Sequence, residues 1–188
     1  YAHTPGLKMV IPSSPYEAKG LLVSAIRDPD PVIFYEPKRL YRAIKEEVPE
    51  HEYTIPIGKC RIVREGSDVT LVAWGSMLYT ALSAFEELKD KYSIEIIDVR
   101  TISPLDFETI LASVKKTGRL VIVHEAPRSF GPGAEIAAQI AEKALLNLQA
   151  PVRRVTGFDT VIPLAKLENY YLPNAERVLV GIQKVMNF

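Results

Sequence analysis

Apolar and polar positions alternate most clearly over residues 66–88. Residues 69–74 are short, almost wholly apolar and rich in strand formers, which predicts a strand covered on both faces. Gly75 permits a sharp turn after it, and Ser76 is suited to cap a helix. Leu78, Ala81, Leu82 and Phe85 then fall at i, i+3, i+4 and i+7, giving a helix one apolar face. The same strand–helix unit recurs downstream. Residues 94–99 form a strand, and Ser103-Pro104-Leu105-Asp106 opens a helix with Leu105, Ile110, Leu111 and Val114 turned inward. Lys115 and Lys116 occupy the last turn of that helix and Gly118 stops it. A strand over 120–123, a helix over 133–148 and a strand over 152–155 follow. Asn174 caps a final helix that reaches Phe188. This succession predicts an α/β fold with a mostly parallel sheet and helices on both faces. The run 59–63 lies so close before the 69–74 strand that the pair reads as one antiparallel edge hairpin.

The first forty residues carry a smaller strand–helix–strand pattern. Residues 8–12 read as a strand, and Ser14-Pro15-Tyr16-Glu17 is a capping box with proline at the first helical position. Ala18, Leu21, Leu22, Ala25 and Ile26 supply the helix with an apolar face. Arg27-Asp28-Pro29-Asp30-Pro31 stops it before another strand over 31–35. So small a piece has no core of its own and reads as the tail of a larger domain whose beginning precedes Tyr1. Charges and prolines crowd residues 37–58 with little periodicity, as in a linker laid over a surface.

Composition narrows the picture further. Of 188 residues, 23 are Lys or Arg and 23 are Asp or Glu, so the formal charge is zero and the basic footprint of a nucleic-acid binder is missing. No apolar run approaches the ~20 residues that cross a bilayer. The single cysteine, Cys60, excludes an intramolecular disulfide and a cysteine metal cluster, as suits a reducing compartment. Its place in a strand-like run leaves packing, the commoner outcome, and reactivity both open.

Candidate chemistry is sparse. In open α/β sheets ligands collect beyond the carboxyl ends of the strands. Three such ends stand out: Asp98-Val99-Arg100-Thr101, His124-Glu125-Ala126-Pro127 and Gly157-Phe158-Asp159-Thr160. His124 and Glu125 have the types of an acid/base pair, although a loop-ordering histidine is the commoner use of such a position. Gly131-Pro132-Gly133 before a helix is faintly like a phosphate cradle but lacks both G-x-G-x-x-G and the P-loop Gly-Lys-Ser/Thr. Asp98 and Arg100 have the spacing of a structural ion pair. His3 and His51 stand alone, and no spacing indicates zinc. The residues alone describe an α/β module without a visible catalytic set.

Several stretches nevertheless resemble one family. HTPGLKMVIPSSPYEAKGLLVSAIRDPDPVIFYEPKRLYR (3–42) is similar to the beta subunit of the thiamine-diphosphate-dependent decarboxylase component of 2-oxoacid dehydrogenase complexes. EGSDVTLVAWGSM, IDVRTISPLD, KTGRLVIVHEAP, the GAEIA helix start and the ending LPNAERVLVGIQKVMNF continue the similarity in order. The resemblance implies that residues 1–42 are the last part of a pyrimidine-binding domain, 43–56 a linker and 57–188 a transketolase-type C-terminal domain. It implies oxidative decarboxylation of a 2-oxoacid with transfer of the acyl group to lipoyl. The HEAP stretch and the linker EEVPEHEYTIPIGK lean toward a branched-chain acid, with pyruvate and acetoin types open.

The family's cofactor-contacting glutamate and active-site histidine belong upstream of Tyr1, and His3 is not that histidine. The diphosphate and magnesium belong to the alpha subunit. No catalytic or cofactor-binding residue is therefore expected within this chain. Ala25, Asp28 and Asp30 match positions that ligate a structural potassium in branched-chain members, at a helix end whose last carbonyls favour a cation. Expected partners are an alpha subunit in an α2β2 heterotetramer and the acyltransferase core, docked through the end at Phe188 and through Gln149. Gln149 stands where some pyruvate-type relatives have glutamate. A cytoplasmic place is expected in a prokaryote, and the mitochondrial matrix in a eukaryote. Transketolase and deoxyxylulose-phosphate synthase relatives, and a non-catalytic docking module, are the alternative readings.

Overall fold

Residues 1–188 are all described in a computed structural model. In chain order the elements are β1 (Lys8–Val10), α1 (Pro15–Arg27), β2 (Val32–Phe34), β3 (Arg61–Arg64), β4 (Val69–Ala73), α2 (Met77–Leu88), β5 (Ile94–Asp98), β6 (Thr101–Ser103), α3 (Phe107–Thr117), β7 (Leu120–Pro127), α4 (Pro132–Ala144), β8 (Arg153–Gly157), α5 (Glu168–Tyr171) and α6 (Ala175–Met186). They fall into two compact units. The first comprises Tyr1–Arg61, Trp74–Ser76 and Asp98–Asp106; the second comprises Ile62–Ala73, Met77–Ile97 and Phe107–Phe188.

In the first unit β1 is the middle strand of a three-stranded sheet ordered β2-β1-β6, parallel to β2 and antiparallel to β6. Helix α1 starts as its capping signal requires: the Ser14 hydroxyl accepts from the Glu17 N–H at 3.3 Å. The reciprocal half of the box is shifted by one residue, because the Glu17 carboxylate accepts from the Ser13 N–H at 3.0 Å. Val10, Leu21 and Ile55 form a small core, with Val32, Phe34 and Ile57 against it. The buried stripe of α1 is Glu17, Gly20 and Leu21, whereas Leu22 is exposed and Ile26 is 76% exposed. The inward face therefore differs from the one expected, since a single sheet-facing stripe and the linker cover only that side.

The linker packs within this unit. Its Tyr53 ring stacks on Tyr16 with centroids 4.5 Å apart, the Ile55 N–H donates to the Gly20 carbonyl at 3.1 Å, and the Ser24 hydroxyl donates to the Ile55 carbonyl at 2.6 Å. Lys19 Nζ donates to the carbonyls of Pro49, Glu50 and His51. The charged run thus gains order by satisfying backbone groups along one helix.

The second sheet is ordered β3-β5-β4-β7-β8, with β4, β7 and β8 mutually parallel. Alternate residues of β4 and β7 divide between its faces. Val69, Leu71, Ala73, Val121 and Val123 join a core with Leu78, Ala81 and Ala84 of α2 and Val178, Ile182 and Val185 of α6. On the other face the Thr70 hydroxyl bonds to those of Ser113 (2.6 Å) and Thr117 (2.8 Å) on α3. Helices therefore cover both sides, as expected of a doubly wound sheet. The expected β3–β4 hairpin does not form: β3 is an edge strand, but its neighbour is β5. Between the two strands the chain crosses the start of β5, where the N–H groups of Ser67 and Asp68 both donate to the Ser93 carbonyl (3.1 and 2.8 Å). Gly66 makes that crossing sterically feasible, since a Cβ there would lie 2.3 Å from the Glu95 nitrogen.

Candidate functional site

The winding order changes direction between β4 and β7, so the carboxyl end of β7 is where a ligand would be sought first. His124, the fifth of the eight residues of β7, lies short of that end and is fully buried. Strand parity turns the imidazole to the same face as Ile122, toward the loop that opens α4. A Cβ on Gly133 would stand 2.5 Å from His124 Nε2 and 3.2 Å from Ile122 Cγ2, and one on Gly131 would stand 2.8 Å from His124 Cε1. The glycines of the Gly-Pro-Gly stretch therefore serve to close the chain onto an imidazole. They do not open an anion cradle, so the diphosphate of a cofactor finds no fit here. Burial, with a smaller effect from the Arg154 charge, lowers the His124 pKa to about 4. The imidazole is neutral near pH 7 and shielded from solvent, which suits packing and loop order rather than proton exchange.

A second polar constellation lies in the first unit, at the end of β5. Asp98 is fully buried and accepts from the Ser13 hydroxyl at 3.0 Å. Arg61 reaches both carboxylates there, with Nε 3.1 Å from Glu17 Oε1 and Nη2 3.6 Å from Asp98 Oδ2. Arg100 does not pair with Asp98, as its spacing had led one to expect. It sits at a left-handed corner (φ 56°), with its guanidinium donating to the Lys59 and Cys60 carbonyls and Nη1 3.8 Å from Glu17 Oε1. Burial, and next the neighbouring Glu17 charge, push the Asp98 carboxyl well above its usual range. Beside it the Cys60 N–H donates to the Asp106 carboxylate at 3.0 Å, and burial pushes the thiol up to about 12. Cys60 is thus a packed thiol without nucleophilic character near neutrality. Arg61 carried no signal in the sequence, and Glu17 entered only as the closing residue of the capping box, not as a buried ion-pair partner. An acidic residue at the third helical position and a basic one at an edge-strand start ordinarily face water.

The positions suggested for potassium are close together, but their carboxylates are already engaged. Lys8 Nζ lies 2.7 Å from Asp28 Oδ1 and 2.9 Å from Asp30 Oδ2, and the Asp28 carboxylate also accepts from the Asp30 N–H. The hydrogen bond from Lys8 holds the Asp28 carboxyl below its usual value. No group of three or more His, Cys, Asp or Glu side chains has the geometry of a metal site anywhere in the chain. An ion ligated by these two carboxylates would compete with the Lys8 ammonium.

The two residues expected at a docking surface lie toward the opposite end of β7. Gln149 packs on Gly118, its N–H donating to the Gly118 carbonyl at 2.7 Å. The adjacent Arg119 donates through Nε to the Val185 carbonyl in the last turn of α6 (3.0 Å), three residues before Phe188, which is 81% exposed. No helix is long and apolar enough to cross a membrane.

Comparison with known proteins agrees with this architecture. Residues 58–178 match the transketolase C-terminal domain, and residues 1–44 match the transketolase pyrimidine-binding domain. All 188 residues align at 50% identity with the pyruvate dehydrogenase E1 component subunit beta of Staphylococcus epidermidis, and equally with that of Staphylococcus aureus. The chain spans 58% of the length of these relatives. Among solved structures, an inactive beta4 tetramer of a split-gene transketolase superposes with a TM-score of 0.82, covering 99% of this chain and 59% of the other; at 24% identity it speaks for the fold alone.

Proposed function

This chain belongs to the family that carries the transketolase C-terminal domain, and on that premise we propose that it is the C-terminal part of a 2-oxoacid dehydrogenase beta subunit. The observation that carries the reading is the 50% identity to such subunits, sustained along the whole chain. The activity belongs to an assembly: thiamine-diphosphate-dependent oxidative decarboxylation of a 2-oxoacid, with the acyl group passed to the disulfide of lipoyl. When bound, thiamine diphosphate supplies an electron sink for the pair released as carbon dioxide departs. On this reading the cofactor's diphosphate and its magnesium are held by the alpha subunit.

This chain contributes scaffold and subunit contacts. The Glu17–Arg61–Asp98 group ties the first turn of α1 to the end of β5, and His124 locks the loop into α4. Its partners on this reading are an alpha subunit in an α2β2 heterotetramer and the subunit-binding domain of the acyltransferase core, met by Phe188 and Gln149. The His124–Pro127 stretch and the linker favour a branched-chain 2-oxoacid as substrate. Pyruvate is the second reading, favoured by the names of the similar relatives.

The test is carbon dioxide release from 3-methyl-2-oxobutanoate and from pyruvate by the full-length gene product co-purified with its companion subunit. Release that requires thiamine diphosphate and both subunits, faster with the branched acid, is expected. Faster turnover of pyruvate would move the substrate to the second reading. A well-folded assembly that decarboxylates neither would overturn the function.

A further inference from the structure

The last strand of the larger sheet, β8, has nothing beyond it. An open edge normally offers carbonyls and N–H groups to any passing strand. Here the carbonyls of Arg154 and Thr156, two residues apart and so on one side of the strand, accept from guanidinium groups: Arg128 Nη1 at 3.3 Å and Arg177 Nη2. Arg154 Nη1 returns a bond to the Arg128 carbonyl at 2.7 Å. Arg177 donates through Nη1 to the Tyr171 carbonyl and lies 4.6 Å from the centre of the Phe158 ring. Three arginines are thereby held in place by neutral backbone and ring partners, and the edge is closed to strand addition.

Together with Arg153, these arginines line an open cleft of about 420 Å³ between β8 and α6, whose only acidic lining residue is Glu176 and whose rim carries the exposed Val180. In a chain with no net charge, four guanidinium groups around one cleft outnumber the carboxylates near them, Glu176 in its lining and Asp159 beside Arg128. Orienting them costs little further entropy, because three are already fixed. Forked donors of this kind recognise carboxylates in pairs of parallel hydrogen bonds.

We propose that the β8–α6 cleft receives an acidic segment of the companion subunit, docked through carboxylate side chains rather than by adding a strand; the inference rests on the beta-subunit reading. Charge complementarity selects the occupant: an open cleft at a sheet edge suits an extended carboxylate-bearing segment, and the apolar rim at Val180 gives it a dry contact. Exposed charges of this sort act strongly on association rate and on salt dependence.

The test uses the full-length gene product and its companion subunit, with the dissociation constant measured at several salt concentrations. The variants are R153E and the double variant R128E/R153E, with R153K as the conservative control. Unfolding curves test whether each variant is folded; if R128E/R153E is not, R153E alone decides, since the ladder with β7 uses the Arg153 backbone and not its side chain. The expected result is binding about tenfold or more weaker for R153E at low salt with a shallower salt dependence, and for R153K a wild-type salt slope with an intermediate affinity, since lysine keeps the charge and loses the fork. Unchanged affinity and salt slope in R153E would overturn the cleft while leaving the beta-subunit reading intact. Loss of inorganic pyrophosphate binding in R153E without any effect on subunit affinity would also overturn it, by assigning the cleft to a small anion. Failure of the wild-type subunits to associate at all would remove both.

Discussion

Acid should weaken this chain in one particular way, through His124. A histidine in an unfolded chain titrates near 6.5, and burial brings the folded value to about 4. The folded state therefore binds fewer protons than the unfolded state between these values, and stability rises with pH across that interval. The contribution is present in full above about pH 6.5 and is lost as pH falls toward 4. One pKa unit corresponds to about 1.4 kcal/mol, so lowering the pH from 7 to 5 removes about 2 kcal/mol through this residue alone. With a urea dependence of about 2 kcal/mol per molar, that is a midpoint shift of about 1 M. The comparison is with His124→Asn, which loses packing at both pH values but has nothing to titrate there. Urea unfolding of both proteins at pH 7 and pH 5 cancels the carboxylates they share. The wild type should lose about 2 kcal/mol more than the variant over this interval. Equal losses would show that His124 accepts its proton without unfolding, and the packing argument at Gly131 and Gly133 would fall with it.

Gly133→Ala places a methyl group 2.5 Å from His124 Nε2 and should cost about 1–3 kcal/mol by overpacking, with much of the cost relieved in a His124→Ala background; urea midpoints of the double-mutant cycle check this, and an undiminished penalty would place the clash elsewhere. The Tyr171 hydroxyl is buried without a hydrogen-bond partner, so Tyr171→Phe should stabilise the fold by about 1 kcal/mol; a lower thermal midpoint would mean that the hydroxyl is satisfied. Because Lys8 holds both Asp28 and Asp30, replacing sodium by potassium at constant ionic strength should leave the thermal midpoint where it is. A rise specific to potassium would show that the ammonium gives way to the ion.

Much of the sheet was legible because its strands are buried on both faces and its helices keep a 3.6-residue period. Helix α2 and strands β4 and β5 lie close to their predicted positions, α3 starts at Phe107 because Ser103 is taken up by β6, β7 runs on to Pro127, and Asn174 caps α6 by accepting from the Arg177 N–H at 2.9 Å. Strand pairing was less legible, because nearness in sequence argues for a hairpin. The bonds to the Ser93 carbonyl that carry the chain across β5 involve residues some twenty-five positions apart. Strand β6 was hidden for a similar reason: three residues after a corner at Arg100 give no period, yet they complete the smaller sheet. On α1, the apolar positions Leu22 and Ile26 carried the expected pattern, while the buried stripe included Glu17, whose carboxylate finds Arg61 forty-four residues further on. Polar residues buried by distant partners look like surface residues in a sequence. The basic cleft at β8 was invisible because its arginines come from two elements, β8 and α6, and the loop after β7.

The proposed place of this chain, in an assembly that transfers an acyl group from a 2-oxoacid, is tested most directly by following the acyl group itself. Full-length product, companion subunit and thiamine diphosphate are incubated with a lipoyl domain and a 2-oxoacid, and the mass of the lipoyl domain is read. A gain of one acyl group, requiring both subunits and the cofactor, is the expected result. No acylation, with transfer of a two-carbon ketol group between sugar phosphates in its place, would contradict the account and return the chain to the transketolases whose fold it shares.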